Sequence, residues 1–222
     1  PKYESNMFKH ETQVIKFLLQ WYSMNARKLP WRKKNNLNLP HPYFVFVSEY
    51  MLQQTTVNTV KNKFNEFILK WPSLNKLAQT SEPNILKFWS GLGYYSRARN
   101  LLKSAKIIHK NFKNNIPKTY DELIQLPGIG DYTAKAILGI GFNQSVMPLD
   151  ANIERILVRL YAIDKPINKV KNKLKDLGKK FISDKYSSNL IQSFMDYGSE
   201  ICLPRNPKCN ICGINKFCQS YK

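Results

Sequence analysis

The chain has 222 residues, 43% of them hydrophobic, which is enough for one large domain or two small ones with an apolar core and too many for a largely disordered chain. No uninterrupted apolar run approaches the ~20 residues that cross a bilayer, and the basic residues are spread along the chain rather than gathered on one amphipathic helix, so a membrane role is not expected. Thirty-five basic against 15 acidic residues leave +20, a balance that favours polyanions through phosphate contacts and counterion release, although a Lys-rich and Asn-rich composition alone gives the same number.

Read in chain order, the pattern is helical almost throughout. Residues 8–24 carry Val14, Phe17, Leu18, Trp21 and Tyr22 at helical spacing. Leu29-Pro30-Trp31 breaks that helix, and a polar loop is expected at 33–42. Helices are expected at 43–54, 57–70, 83–88, 94–112, 120–125, 132–141, 152–162, 169–182 and 189–201. Only 43–47, aromatic and β-branched throughout, could pass for a buried strand. An all-α fold follows. The stretch 203–222, rich in Pro, Asn, Gly and Cys, cannot bury much apolar area and needs a metal to order it.

Several motifs carry chemistry. Glu49 lies in Phe44-Val45-Phe46-Val47-Ser48-Glu49-Tyr50-Met51-Leu52, where an acid is either solvated on an amphipathic helix or desolvated and able to hold a proton near neutral pH. Gln53-Gln54-Thr55 ends that helix, either as a polar end or as a group able to fill a gap in a base stack. In Gly91-Leu92-Gly93-Tyr94-Tyr95-Ser96-Arg97-Ala98-Arg99, glycines, aromatics and arginines either approach DNA or form a helix start with core aromatics and surface arginines. Leu126-Pro127-Gly128-Ile129-Gly130-Asp131 ends one helix, turns tightly and starts the next, so its N–H groups can hold a phosphate. Asp150 follows Met147-Pro148-Leu149 at a helix start, where its commonest use is as an N-cap.

All four cysteines fall in Cys202-x6-Cys209-x2-Cys212-x5-Cys218. Such clustering in a reducing compartment argues for a metal site rather than disulfides. Thiolates suit zinc or an iron–sulfur cluster. Zinc sites usually use two short knuckles, and only Cys209 and Cys212 are so spaced; the wider outer gaps suit a larger cubane. Arg205, Lys208 and Lys216 are either phosphate contacts or ordinary solvated charges.

The order of these motifs, with Leu29-Pro30-Trp31-Arg32 ahead of them and Leu149-Asp150-Ala151-Asn152 before the cysteines, resembles the adenine DNA glycosylases of the helix–hairpin–helix glycosylase superfamily over residues 10–218. The resemblance implies a two-lobed helical fold. One lobe is a six-helix barrel at 30–146, and the other joins 1–29 to 147–222 and holds a 4Fe-4S cluster on the four cysteines. Double-stranded DNA with a mispaired adenine would bind across the cleft, the base flipped out of the stack. A monomer in the bacterial cytoplasm is expected.

By the same resemblance, Glu49 donates a proton to adenine and helps to position water. Asp150, in a more polar stretch, stays ionised and stabilises the sugar cation or attacks it transiently. Tyr132 and Asn152 orient this pair. Arg27, Trp31, Leu52 and Val57 surround the flipped adenine, and Gln54 fills the vacated stack beside Gln53. Tyr94 wedges next to the oxidised guanine, while Arg32 and the hairpin residues Leu126, Gly128 and Gly130 meet DNA. Two departures stand out. Ala151 replaces the family's usual glycine, and the sequence given reaches only four residues past Cys218, where members usually continue into a domain that helps to recognise 8-oxoguanine. Two other readings stay open: a thymine mismatch glycosylase of the same superfamily, and a non-enzymatic DNA-binding protein stapled by zinc. An endonuclease III-like lyase would need its Schiff-base lysine where Tyr132 stands, and Lys135 lies nearly a helical turn further on.

Overall fold

The computed structural model describes residues 2–35 and 38–221, without the side chains of 2–9; positions 36 and 37 of the expected polar loop lie outside the described residues. The chain divides into two compact units, Lys28–Phe142 and Pro1–Arg27 with Asn143–Lys222. Among the described residues there is no strand, only an isolated bridge between Lys34 and Pro40.

The unit Lys28–Phe142 holds α2 (Pro42–Leu52), α3 (Val57–Lys70), α4 (Leu74–Ala78), α5 (Glu82–Trp89), α6 (Ser96–Phe112), α7 (Tyr120–Ile124) and α8 (Asp131–Ala136). The segment 43–47, which could pass for a strand by composition, is the first half of α2. Pro42 supplies a preset helical φ at the first position, and the His41 ring accepts the Tyr43 N–H at 3.3 Å. Its apolar run has no polar face because α3, α6, α8 and the π turn Ile137–Gly141 pack around it. A helix apolar on all sides is a buried helix. By contrast, α3 is amphipathic, with Val60, Phe64 and Phe67 buried and Thr56 accepting the Thr59 N–H at its start. Lys113, in a left-handed conformation (φ 51°), closes α6.

The other unit packs α1 (Lys2–Asn25) against α11 (Ser187–Glu200), and α11 against α9 (Ala151–Leu160), which also meets α10 (Lys171–Lys179). Its core includes Val14, Leu18, Ile153, Leu157, Leu174, Phe181, Leu190 and Phe194. After α11 the chain forms only 3-10 turns, Cys209–Ile211 and Asn215–Phe217, and within 203–221 Ile214 alone is buried. No helix among the described residues is long and apolar enough to cross a membrane.

Candidate active site and metal centre

In the unit Lys28–Phe142, three loops are tied together behind the C-terminal end of α2. Glu49 is buried on that helix and not a solvated side chain on a polar face. The helix stops at Gln53, and exposed Gln54 turns left-handed (φ 55°). The guanidinium of Arg97 explains why the turn is held. It donates to the carbonyls of Tyr50 (3.2 Å), Met51 (2.7 Å) and Gln53 (2.5 Å) on one side, and to those of Leu92 (2.8 Å) and Gly93 (3.1 Å) on the other. Arg97 is thus neither a surface arginine nor a DNA contact: it is 5% exposed, a fixed cation placed on helix-end carbonyls that have no intrahelical partner. The loop that it grips runs through Gly91 and Gly93 and turns left-handed at Tyr94, whose ring is 62% exposed; Tyr95 is exposed as well. These tyrosines are therefore not core aromatics. Arg99 pairs with Glu82 at 3.0 Å.

The third loop is the hairpin before α8. Leu126 and Ile129 are buried, and Gly128 sits at φ 80° with Asn100 and Tyr50 about 3 Å from where a Cβ would stand, so only glycine fits. Gln53 Nε2 donates to the Gly128 carbonyl at 3.2 Å, and the Tyr50 hydroxyl donates to that of Pro127 at 2.5 Å. Gly130 is the N-cap of α8, with open space where a side chain would be, and half-buried Tyr132 lies in the first turn. Trp31 is buried edge-on to Phe64 (5.5 Å), while Arg32, Leu52 and Val57 are half-buried.

In the other unit, Asp150 caps α9. Its Oδ1 accepts the Ile153 N–H at 2.7 Å, and its Oδ2 accepts the Asn152 side-chain N–H at 3.0 Å. Arg155 fixes which way that amide points, because its Nη2 donates to Asn152 Oδ1 at 2.8 Å and leaves the NH2 for Asp150. Gly198 lets α11 approach: a Cβ there would stand 2.6 Å from the Asn152 Cβ. The polar stretch around Asp150 does not keep it solvated. Burial pushes its carboxyl above the usual range, and the Ile153 and Asn152 N–H groups and the Arg155 charge pull it back. Arg27 Nε pairs with fully buried Asp196 at 2.6 Å. The sequence reading did not single out Arg155, Asp196 or Gly198; the available signals were an acid and a glycine among the apolar residues of α11 and an arginine three residues after Asn152.

Cys202, Cys209, Cys212 and Cys218 line one cavity, with Ile156, Leu160 and Ile214 among its apolar walls. Among the described residues, no three His, Cys, Asp or Glu side chains converge on the position of a single ion. Four soft ligands lining one cavity have the donor chemistry that an iron–sulfur cluster needs. Donors are aimed at the sulfurs: Arg159 Nη1 lies 3.3 Å from Cys202 Sγ, and the Tyr197 hydroxyl 3.3 Å from Cys212 Sγ. Arg205, Lys208 and Lys216 are exposed nearby in sequence, Lys216 over the Phe217 ring.

A helical fold with a glycine hairpin and a four-cysteine tail defines the class of helix–hairpin–helix DNA repair proteins. The family described as HhH-GPD superfamily base excision DNA repair protein matches residues 47–180, and the chain belongs to it. It is similar to the adenine DNA glycosylase of Buchnera aphidicola subsp. Baizongia pistaciae (45% identity over 92% of this chain) and to that of Homo sapiens (36% over 97%). The chain spans 57% of the first relative's length and 41% of the second's. Among solved structures, a thermostable thymine-DNA glycosylase superposes with a TM-score of 0.85 at 25% identity, covering 96% of this chain and 97% of that one. An endonuclease III from a DNA complex superposes at 0.73 and 20% identity, covering 95% and 96%, and shares the fold.

Proposed function

We propose that this protein is a monofunctional base-excision-repair glycosylase that hydrolyses the N-glycosidic bond of adenine mispaired with guanine or 8-oxoguanine. Similarity to adenine DNA glycosylases across more than nine-tenths of the chain carries this reading, and the two carboxyls give it a chemistry. The bond from the sugar C1′ to the base breaks with its electron pair leaving on the base. Glu49 donates its proton to a ring nitrogen of that base, which turns a poor anionic leaving group into a neutral one. Asp150, ionised and held by Ile153 and Asn152, stabilises the cationic sugar that remains. Water adds to C1′ and returns its proton to Glu49. Tyr132 and Asn152 orient the acids, Arg27, Trp31, Leu52 and Val57 line the base pocket, and Arg32, Gln53, Gln54, Tyr94 and the hairpin Leu126, Gly128 and Gly130 engage the duplex. Cys202, Cys209, Cys212 and Cys218 hold a 4Fe-4S cluster, which when bound cross-links the weakly packed tail and takes no part in breaking the bond. The protein works as a monomer where its substrate is, on cytoplasmic DNA.

The test is base release from duplexes carrying A or T opposite G or 8-oxoguanine, with A·T as control. Adenine should be released from the mispairs, and Glu49→Gln should slow single-turnover release by at least ~10²-fold with mispair binding retained. Release of thymine alone would move the assignment to the activity named for the thymine-DNA glycosylase structure. DNA binding without any release, by a chain containing zinc and no iron, would make it a binding protein.

A further inference from the structure

Tyr197 stands on α11, five residues before Cys202, and is 1% exposed. Phe17 and Trp21 of α1 hold its ring edge-on, with centroids 5.9 and 5.0 Å away. Its hydroxyl oxygen accepts the Gly213 N–H at 3.0 Å and lies 3.3 Å from Cys212 Sγ. A phenol has one proton to give. The Gly213 N–H already donates to the oxygen, so the hydroxyl proton is left for the sulfur. A sulfur bound to metal is a thiolate and can only accept, which fixes the direction of the bond from Tyr197 to Cys212. Packing alone would be served by phenylalanine. The hydroxyl is what reaches the cysteine loop, at a sulfur that none of the arginine contacts described above touches.

We propose that the Tyr197 hydroxyl tunes the iron–sulfur cluster through Cys212. This rests on the reading of the four cysteines as cluster ligands. A hydrogen bond to a thiolate withdraws electron density from the sulfur and stabilises the more negative, reduced state of the cluster. Tyr197 therefore raises the reduction potential and slows oxidative loss of the cluster, while α1 and α11 keep the ring in register.

The experiment compares the full holoprotein with Tyr197→Phe, which keeps the ring and removes the bond. Iron and zinc are measured first, then the one-electron potential by voltammetry, then bleaching of the visible cluster absorbance under ferricyanide. The Phe variant should keep its iron content, shift to a lower potential and bleach faster. A fully loaded Phe variant with the parent's potential overturns this inference and leaves the cluster assignment intact. Should the Phe variant hold no cluster even after anaerobic reconstitution with ferrous iron and sulfide, while the parent reloads, Tyr197 belongs to assembly of the fold and the tuning role is overturned. A parent chain with zinc or no iron overturns the cluster reading itself, and this inference with it.

Discussion

At Asp150 one carboxylate is divided between two duties: Oδ1 caps α9 through the Ile153 N–H, and Oδ2 takes the Asn152 amide. Burial favours the neutral acid and these donors favour the anion; burial outweighs them, so the Asp150 ionisation sits above the ordinary aspartate value of about 3.9. The proposed role needs the anion. Single-turnover base release should therefore fall as pH drops through that raised value. Removing a donor raises it further, so Asn152→Ala should move the acid limb to higher pH. An acid limb at the same pH in both proteins would show that a different group controls it. Asp150 and Asn152 were legible in the sequence as a helix start, but Arg155, which sets the amide's orientation, was not, because two of its acceptors, the Gly198 and Cys202 carbonyls, lie more than 40 residues away and are brought to it only by the fold. Lys135 was legible as the nearest amine to the Schiff-base position, and the structure ties it to Asp131 at 2.9 Å. Borohydride added during turnover should trap little protein–DNA adduct. Strong trapping that disappears in Lys135→Ala would make that lysine a nucleophile and the enzyme a lyase.

Among the elements, those with a clean period were readable and those set by their surroundings were not. Helix α3 matches its expected span because Val60, Phe64 and Phe67 repeat at helical spacing between Thr56 and Trp71. Helix α2 also lies close to its expected span of 43–54, but burial on every side erases the periodicity that separates helix from strand, which is why 43–47 could pass for either. The short α4 was missed because five residues carry little more than one turn of signal, and its cap, Ser73, looks like any loop serine. The π turn Ile137–Gly141 has no signature in its apolar residues and shows only in its packing against α2. The meeting of α9 and α11 depends on Gly198, and this gives a prediction of sign. In an ordinary helix interior, alanine would add up to about 1 kcal/mol over glycine. Here its Cβ would stand 2.6 Å from the Asn152 Cβ and 3.2 Å from the Asn152 Cα, and overpacking of that kind costs typically 1–3 kcal/mol. The clash wins. Gly198→Ala should lower the melting temperature, by roughly 2–4 °C for each net kcal/mol lost in a chain of this size, and slow base release because Asn152 must move. A higher melting temperature would show that the helices part freely and that the close approach is not a constraint.

For the whole molecule, the +20 net charge was visible at once, yet composition could not say whether it serves binding or reflects lysine-rich usage. The structure supplies one part of the answer. Glu11, Glu49 and Asp196 are buried, while exposed lysines crowd α10 and its flanks at Lys165, Lys169, Lys171, Lys173, Lys175 and Lys179, with Asp176 paired to Lys179 at 2.8 Å. Such charge acts on the phosphate backbone without regard to sequence, by releasing condensed counterions, with a slope of about −0.9 in log affinity against log salt for each phosphate neutralised. The mispair recognition proposed for the Gln54, Tyr94 and hairpin loops would contribute differently, since stacking and base contacts release few counterions. The two contributions separate in a titration of matched and mispaired duplexes at several salt concentrations. Both affinities should fall steeply and in parallel, by ~10³-fold or more between 50 and 200 mM salt if six or more phosphates are engaged. The offset between the two lines should stay constant. Reversing the lysines at 171, 173 and 175 to glutamate should flatten both slopes without closing the offset if that face meets DNA. A flat response in the parent protein would mean that the charge is compositional and that affinity comes from the loops alone.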